Sequence, residues 1–373
     1  MKIAVNTRFL IKDKLEGIGW FTHESLKRIT QQHPEHDFIF FFDRPFSDEF
    51  IFSKNILPRV LFPPARHPLL WWWWFEVAVP SALRKWKPDV FLSPDGYASL
   101  STNCRQVTVI HDLAFEHFTD QLPANVLKYY KRFVPQYARK ANRIATVSQF
   151  SKKDIVDSYG ISPEKIDVVY NGSNELFRVM GMEEKKQTKR KFTYGSDYFI
   201  YAGAIQPRKN IVNLLKAFDE FRKNNSSGIK LVLAGRNWSY GKAMQVHSNM
   251  QFKEEVIFIG HLTRKQLSQL MGAALALVYV SLFEGFGIPI IEAMNCDVPV
   301  ITSNVSSMPE VAGDAALLVD PNNLDDIAAK MKIISQDEEL RNHLIMKGRL
   351  QREKFSWQQT ADRLWDCIMK TMR

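Results

Sequence analysis

Glu284 and Glu292 stand eight positions apart in the stretch Ser281-Leu282-Phe283-Glu284-Gly285-Phe286-Gly287-Ile288-Pro289-Ile290-Ile291-Glu292. Between them lie two glycines, a proline and a run of apolar side chains. Ala274 to Val280 reads as a buried strand, and Ile290 onward reads as a helix with Pro289 near its first turn, where a missing N–H costs nothing. Glu284 is therefore expected on a loop at the C-terminal end of a strand, and Glu292 about one turn inside the next helix. Gly285 and Gly287 permit a tight turn and a close approach of ligand to backbone. The helix N-terminus offers unpaired N–H groups and a partial positive charge, which suit a phosphate. Two carboxylates beside an anion site match a ligand with hydroxyls at both ends and phosphate between them, which is the shape of a nucleotide sugar.

Two further groups fit the same chemistry. Arg208 and Lys209, within Gln206-Pro207-Arg208-Lys209-Asn210, fall on a loop from strand to helix and would neutralise a diphosphate. His111 closes the strand Gln106–Ile110, and in an open α/β sheet that position borders the ligand crevice. A structural, hydrogen-bonded histidine is the competing reading. Gly17 and Gly19 lie between the strand Lys2–Asn6 and an amphipathic helix carrying Phe21, Leu26 and Ile29; alone they are a weak signal and do not complete a dinucleotide fingerprint.

The elements that must hold these groups alternate along the chain. Strands are expected at Lys2–Asn6, Asp37–Phe42, Asp89–Leu92, Gln106–Ile110, Arg143–Val147 and a short one at 166–172. The pattern restarts with Tyr198–Gly203, Lys230–Gly235, Val256–Gly260, Ala274–Val280, Val298–Thr302 and Ala316–Asp320, with helices between. This gives two parallel-sheet domains. The expected boundaries are 1–182 for the first, a Lys-rich linker at 183–192, 193–354 for the second, and a C-terminal helix over 355–373 that can pack back on the first domain. Residues 56–80 stand apart, with Pro58, Pro63, Pro64 and Pro68 breaking regular structure and Trp71-Trp72-Trp73-Trp74 adjacent. Four adjacent residues on a helix point four ways, so they divide between core packing and a face toward an acceptor or a membrane interface.

Composition sets limits. At 373 residues, with 45% hydrophobic and 24% charged residues, the chain is a globular protein too long for one core. Its three cysteines, Cys104, Cys296 and Cys367, are far apart and form neither a metal spacing nor a disulfide framework, which points to a reducing cytoplasm. Nothing resembles a signal peptide, and no apolar run reaches the roughly 18–20 residues of a membrane-spanning helix. The net charge of +10 falls mostly in residues 1–190. It fits a merely solvated surface, or contact with anionic lipid or phosphorylated small molecules.

Taken together, Phe283-Glu284-Gly285-Phe286-Gly287-Ile288-Pro289 with Glu292, Pro299-Val300-Ile301, Met308-Pro309-Glu310-Val311-Ala312-Gly313-Asp314, Gln206-Pro207-Arg208-Lys209-Asn210 and Thr146-Val147-Ser148-Gln149-Phe150-Ser151 resemble the retaining glycosyltransferases of family 4. The resemblance implies the GT-B fold: two doubly wound Rossmann-like domains facing across a cleft. It implies that Glu284 binds hydroxyls of the donor sugar and Glu292 those of the ribose, and that Arg208 and Lys209 stabilise the diphosphate. Gly287 and Ile288 would present backbone N–H groups, Gly17 and Gly19 would shape the cleft floor, and His111 would approach the sugar from the first domain. No metal or cofactor is expected, the nucleotide sugar being a substrate. The Pro-Arg-Lys-Asn type is similar to mannosyltransferases of polysaccharide and lipopolysaccharide assembly, so GDP-mannose is the expected donor and a glycan or lipid-linked molecule the expected acceptor. Nucleic acid is not an expected partner, and peripheral contact with the anionic inner membrane face stays open. The alternatives are a nucleotide-sugar epimerase or hydrolase of the same fold, or a non-catalytic sugar-binding protein. Asp297, where the family commonly has glycine, Val280, where proline is frequent, and the tryptophan run depart from the family pattern.

Overall fold

The computed structural model describes residues 1–225, 227–235 and 241–372. Residue 373, the last of the expected C-terminal helix, lies outside them. The chain divides into two compact units, Met1–Asn171 with Trp357–Arg373, and Gly172–Ser356.

The first unit is built on a parallel sheet of seven strands: β1 Lys2–Asn6, β2 Asp37–Phe42, β3 Ile56–Val60, β4 Val90–Ser93, β5 Arg105–Ile110, β6 Arg143–Thr146 and β7 Ile166–Val168, in the order β3-β2-β1-β4-β5-β6-β7. Strands such as Asp37-Phe38-Ile39-Phe40-Phe41-Phe42 are apolar on consecutive residues because helices cover both faces of a parallel sheet. β3 lies within the proline-rich stretch where the sequence predicted no regular structure. Pro58 is accommodated there because β3 is the edge strand and its missing donor breaks no ladder on the open side.

The second unit holds β8 Tyr198–Ala202, β9 Lys230–Ala234, β10 Val256–Gly260, β11 Ala276–Tyr279, β12 Val300–Ser303 and β13 Ala316–Val319, in the order β10-β9-β8-β11-β12-β13. The order reverses between β8 and β11. In open α/β sheets such a reversal is where the loops leaving the two C-terminal ends diverge and ligands bind. Both loops carry residues singled out from the sequence.

Two boundaries differ from expectation. Residues 183–192 are not a linker: Met182–Thr193 is a helix of the second unit, packed on the helix Arg264–Ala273. Its charge is ordered rather than random. Glu183 and Glu184 lie in the first turn and Arg190 and Lys191 in the last, which suits the helix dipole. The Glu184 carboxylate also accepts from the Gly181 amide at 3.1 Å. The division falls earlier, at Asn171–Gly172. The helix Trp357–Met372 packs on the first unit, against the helix Gly17–Gln32 and strands β4 to β7.

Candidate functional site

The second unit brings four of the singled-out side chains into two ion-paired groups. After β8 the chain makes a single 3-10 turn, Pro207–Lys209, then starts the helix Ile211–Lys223. Asn210 sits between them at φ 61, a left-handed conformation that asparagine tolerates. Its amide donates to the Val280 carbonyl at 3.0 Å and the Pro321 carbonyl at 2.7 Å, tying this loop to the end of β11. The turn aims Arg208 and Lys209 at the second loop. The Arg208 guanidinium donates to the Phe283 carbonyl at 2.9 Å and to Glu284 Oε2 at 3.0 Å. Lys209 pairs with Glu284 Oε1.

Tyr279, the last residue of β11, completes the group. Its hydroxyl accepts from Lys209 Nζ at 3.0 Å and donates to Glu284 Oε1 at 2.7 Å. Glu284 is 5% exposed. Burial alone would push its carboxyl up, but the charges of Lys209 and Arg208 outweigh burial and lower it to about 2. Glu284 is therefore a fixed anion at any physiological pH. It can accept hydrogen bonds from hydroxyls; it cannot act as a proton donor.

A third loop buttresses the second. The Ser307 hydroxyl donates to the Glu284 carbonyl and to the Phe286 carbonyl, each at 2.9 Å, and the Glu284 amide donates to Ser306 Oγ at 3.2 Å. Gly287 then caps the helix Ile288–Asn295 at φ 99, where a side chain is strained, and an added Cβ would also meet Ile290 Cδ1 at 3.2 Å. The helix begins two residues earlier than predicted. Ile288 is its first residue, and Glu292 projects from its second turn. Glu292 is buried and pairs with Arg264 at 2.6 Å. Burial outweighs that cation, so this carboxyl is raised rather than lowered. The two glutamates thus sit in opposite electrostatic settings.

The first unit holds the other three residues. Gly17 opens the helix Gly17–Gln32, with open space where its side chain would be. At Gly19 a Cβ would lie 3.0 Å from the Phe9 carbonyl oxygen, so that glycine lets the β1 loop fold over the helix start. His111 follows β5. Its Nε2 is 2.9 Å from the Pro94 carbonyl, which can only accept, so Nε2 carries the proton and Nδ1 is the acceptor in the neutral ring. The ring meets Phe21 edge-on at 4.9 Å. Burial lowers its pKa despite Pro94, Asp112 and Asp95, which favour the cation, so the imidazole is neutral at pH 7.

Four contributors were not anticipated. Tyr279 falls inside the strand expected over Ala274–Val280, where a phenol in a fully buried strand needs a partner for its hydroxyl. Arg264 lies 28 residues before Glu292 with no local pattern linking them. In the first unit, Arg8 pairs with Asp95 at 2.5 Å where the sheet order reverses between β1 and β4, and it lies over the Tyr97 ring at 4.0 Å. No metal-holding group of His, Cys, Asp and Glu occurs among the described residues.

The comparisons with known proteins agree in kind. Residues 182–351 match the model for glycosyl transferases group 1, and residues 15–175 match that for glycosyltransferase family 4. O-antigen chain mannosyltransferase B of Escherichia coli is 30% identical over 371 residues, 96% of this chain and 97% of that protein. O-antigen chain mannosyltransferase RfbU of Salmonella typhimurium is 29% identical over 232 residues, 62% of this chain and 61% of that protein. Among solved structures, Anabaena Alr3699/HepE in complex with UDP and glucose superposes with a TM-score of 0.75 at 16% identity, covering 99% of this chain and 100% of that one. Its likeness concerns the fold. The chain belongs to glycosyltransferase family 4, and its two parallel-sheet units are those of the GT-B fold.

Proposed function

We propose that this glycosyltransferase moves a mannosyl group from GDP-mannose, with retention of configuration, to a glycan or lipid-linked acceptor in surface polysaccharide assembly. The observation that carries the reading is the Arg208–Lys209–Tyr279–Glu284 group at the β8/β11 reversal. There, two cations and a permanently ionised carboxylate are fixed before any ligand arrives. The O-antigen mannosyltransferases among the relatives support the choice of sugar and pathway class.

The chemistry follows from charge. Cleaving the sugar–phosphate bond develops negative charge on the diphosphate and positive charge on the sugar ring. Arg208 and Lys209 oppose the first, and preorganised cations cost no reorganisation at the moment of reaction. The N-terminal turn of Ile288–Asn295 adds backbone donors at Ile288 and Gly287. Glu284 accepts from sugar hydroxyls, and Glu292, from the helix behind it, accepts from the ribose. In the first unit, the neutral His111 keeps Nδ1 as an acceptor for a substrate hydroxyl, and Gly17 leaves open space at the start of its helix. No step calls on a metal ion, because these cations carry the charge.

A donor screen tests this directly. Thermal shift with GDP-, UDP-, ADP- and dTDP-sugars should raise the melting temperature most with GDP-mannose, by several degrees at ligand concentrations near 100 Kd. NMR of the product should show the donor's anomeric configuration. A protein stabilised by no nucleotide sugar would overturn the reading, and stabilisation by UDP-sugars alone would overturn the choice of donor.

A further inference from the structure

The tryptophan run is the feature the transfer reaction leaves unused. Pro68 to Trp86 is one continuous helical rod: α-helix over Pro68–Trp73, a π-helical turn over Trp74–Ala78, and α-helix again over Val79–Trp86. The four tryptophans divide. Trp74 is fully buried, and its indole donates to the Leu61 carbonyl at 3.2 Å. Trp71 is half-buried, donates to the Ala65 carbonyl at 2.8 Å and stacks on Tyr130. Trp72 and Trp73 are exposed, at 44% and 39%, beside Leu69 at 74% on the same rod. Phe62, next to the Leu61 that anchors Trp74, is 78% exposed.

The charges of this stretch are equally one-sided. From position 59 to 87 they are Arg59, Arg66, Glu76, Arg84, Lys85 and Lys87. The one acid, Glu76, is turned inward. Its carboxylate accepts from the Leu100 amide at 3.0 Å, the Ser101 amide at 2.9 Å and the Ser101 hydroxyl at 2.6 Å. Arg66, Arg84, Lys85 and Lys87 are all exposed. The outward surface of the stretch is therefore aromatic and cationic, with its only carboxylate consumed internally. Apposing two copies of such a patch would set cation against cation. An anionic headgroup layer complements both components: indoles favour the boundary between headgroup and acyl chain, and cations favour the phosphates above it.

We propose that this surface docks the first unit on bilayers bearing anionic headgroups, with Leu69, Trp72 and Trp73 at the headgroup boundary and Arg66, Arg84 and Lys85 on the phosphates. The proposal stands independently of which sugar the enzyme transfers. Flotation of the full chain with phosphatidylglycerol–phosphatidylcholine vesicles should carry protein to the lipid fraction, and pure phosphatidylcholine vesicles should carry much less. Trp72→Ser with Trp73→Ser should lower the partition coefficient at least tenfold. Arg84→Glu with Lys85→Glu should lower it by at least twentyfold, each lost cation alone being worth roughly fivefold. The four positions are exposed, so circular dichroism and melting temperature should be unchanged in both variants. Flotation of either variant equal to that of the parent overturns the proposal, as does a parent protein that ignores anionic vesicles. Light scattering that shows a dimer lost in the tryptophan variant would assign the patch to a second copy and overturn it as well.

Discussion

Tyr279 is the residue on which the Arg208–Lys209–Glu284 group turns, because its hydroxyl touches both the Lys209 cation and the Glu284 carboxylate. Tyr279→Phe keeps the ring stacked on Tyr201, with centroids 6.0 Å apart, and removes only the bridging oxygen. It should lower kcat/KM by about tenfold, the worth of one charge-assisted hydrogen bond, with the melting temperature within a few degrees of the parent; steady-state kinetics and calorimetry check both. Lys209→Met asks more of the fold. It removes the largest attraction opposing Glu284's burial, and breaking one partner of a buried pair costs about 3–5 kcal/mol, measurable by urea unfolding. The pH response should change in a defined direction. In the parent, Glu284 ionises at about 2, below the ordinary 4.5. Its contribution to stability is therefore present above 4.5 and lost as the pH falls toward 2. In Lys209→Met the carboxyl rises, so acid loss of stability should begin at a higher pH; coincident curves would show that Lys209 does not hold it down. His111 supplies a separate signature. Its pKa lies below the ordinary 6.5, so an acid limb in the kcat/KM profile should fall below that value and disappear in His111→Gln.

At the scale of elements, the family's glycine position explains itself. Asp297 follows the helix Ile288–Asn295 at φ 54, a backbone conformation glycine adopts freely and aspartate adopts with local help. The help here is ionic: Asp297 accepts from Arg349 Nη2 at 2.5 Å and from Arg352 Nη1 at 3.3 Å. Asp297→Ala loses both ion pairs and keeps the strain, and should cost about 1–3 kcal/mol. Asp297→Gly loses the pairs but relieves the backbone and should cost less; denaturant midpoints give the order. Much of the scaffold was legible because a parallel sheet writes itself as apolar runs. The strands carrying Tyr198, Leu231, Leu277 and Val300 were read within about two residues at either end. What stayed hidden depended on partners far along the chain. β3 was obscured by Pro58, tolerable only on an edge that sequence does not reveal. The helix Met182–Thr193 looks like a linker in sequence because it buries only Thr188 and Thr193. In the site, Arg208, Lys209 and Glu284 could be singled out from residue type and spacing. That they lock to one another through Tyr279 follows from the adjacency of β8 and β11, which lie some 75 residues apart.

For the whole molecule, the C-terminal helix is the structural debt of the first unit to the end of the chain. Trp357–Met372 buries Ala361, Leu364, Cys367 and Ile368, each 0% exposed. Its Thr360 hydroxyl donates to the Tyr170 carbonyl at 2.6 Å, and its Lys370 pairs with Asp167 at 2.7 Å. Ending the chain after Ser356 should leave the second unit cooperative and turn the first into an aggregating or loosely packed body, as judged by solubility and by proteolysis fragments mapping to residues 172–356. Burial of those four side chains supports the expectation, at about 1–3 kcal/mol for each larger one. The arrangement also imposes an order in time. Ribosomes release the first 171 residues and then make roughly 185 more before the covering helix emerges, a delay of about 10–40 s at ordinary elongation rates. During that interval the later-made unit can already complete its own core, while the earlier-made one waits with an apolar strip uncovered. The portion translated first is therefore the portion that matures last, and it is there that a chaperone has something to hold.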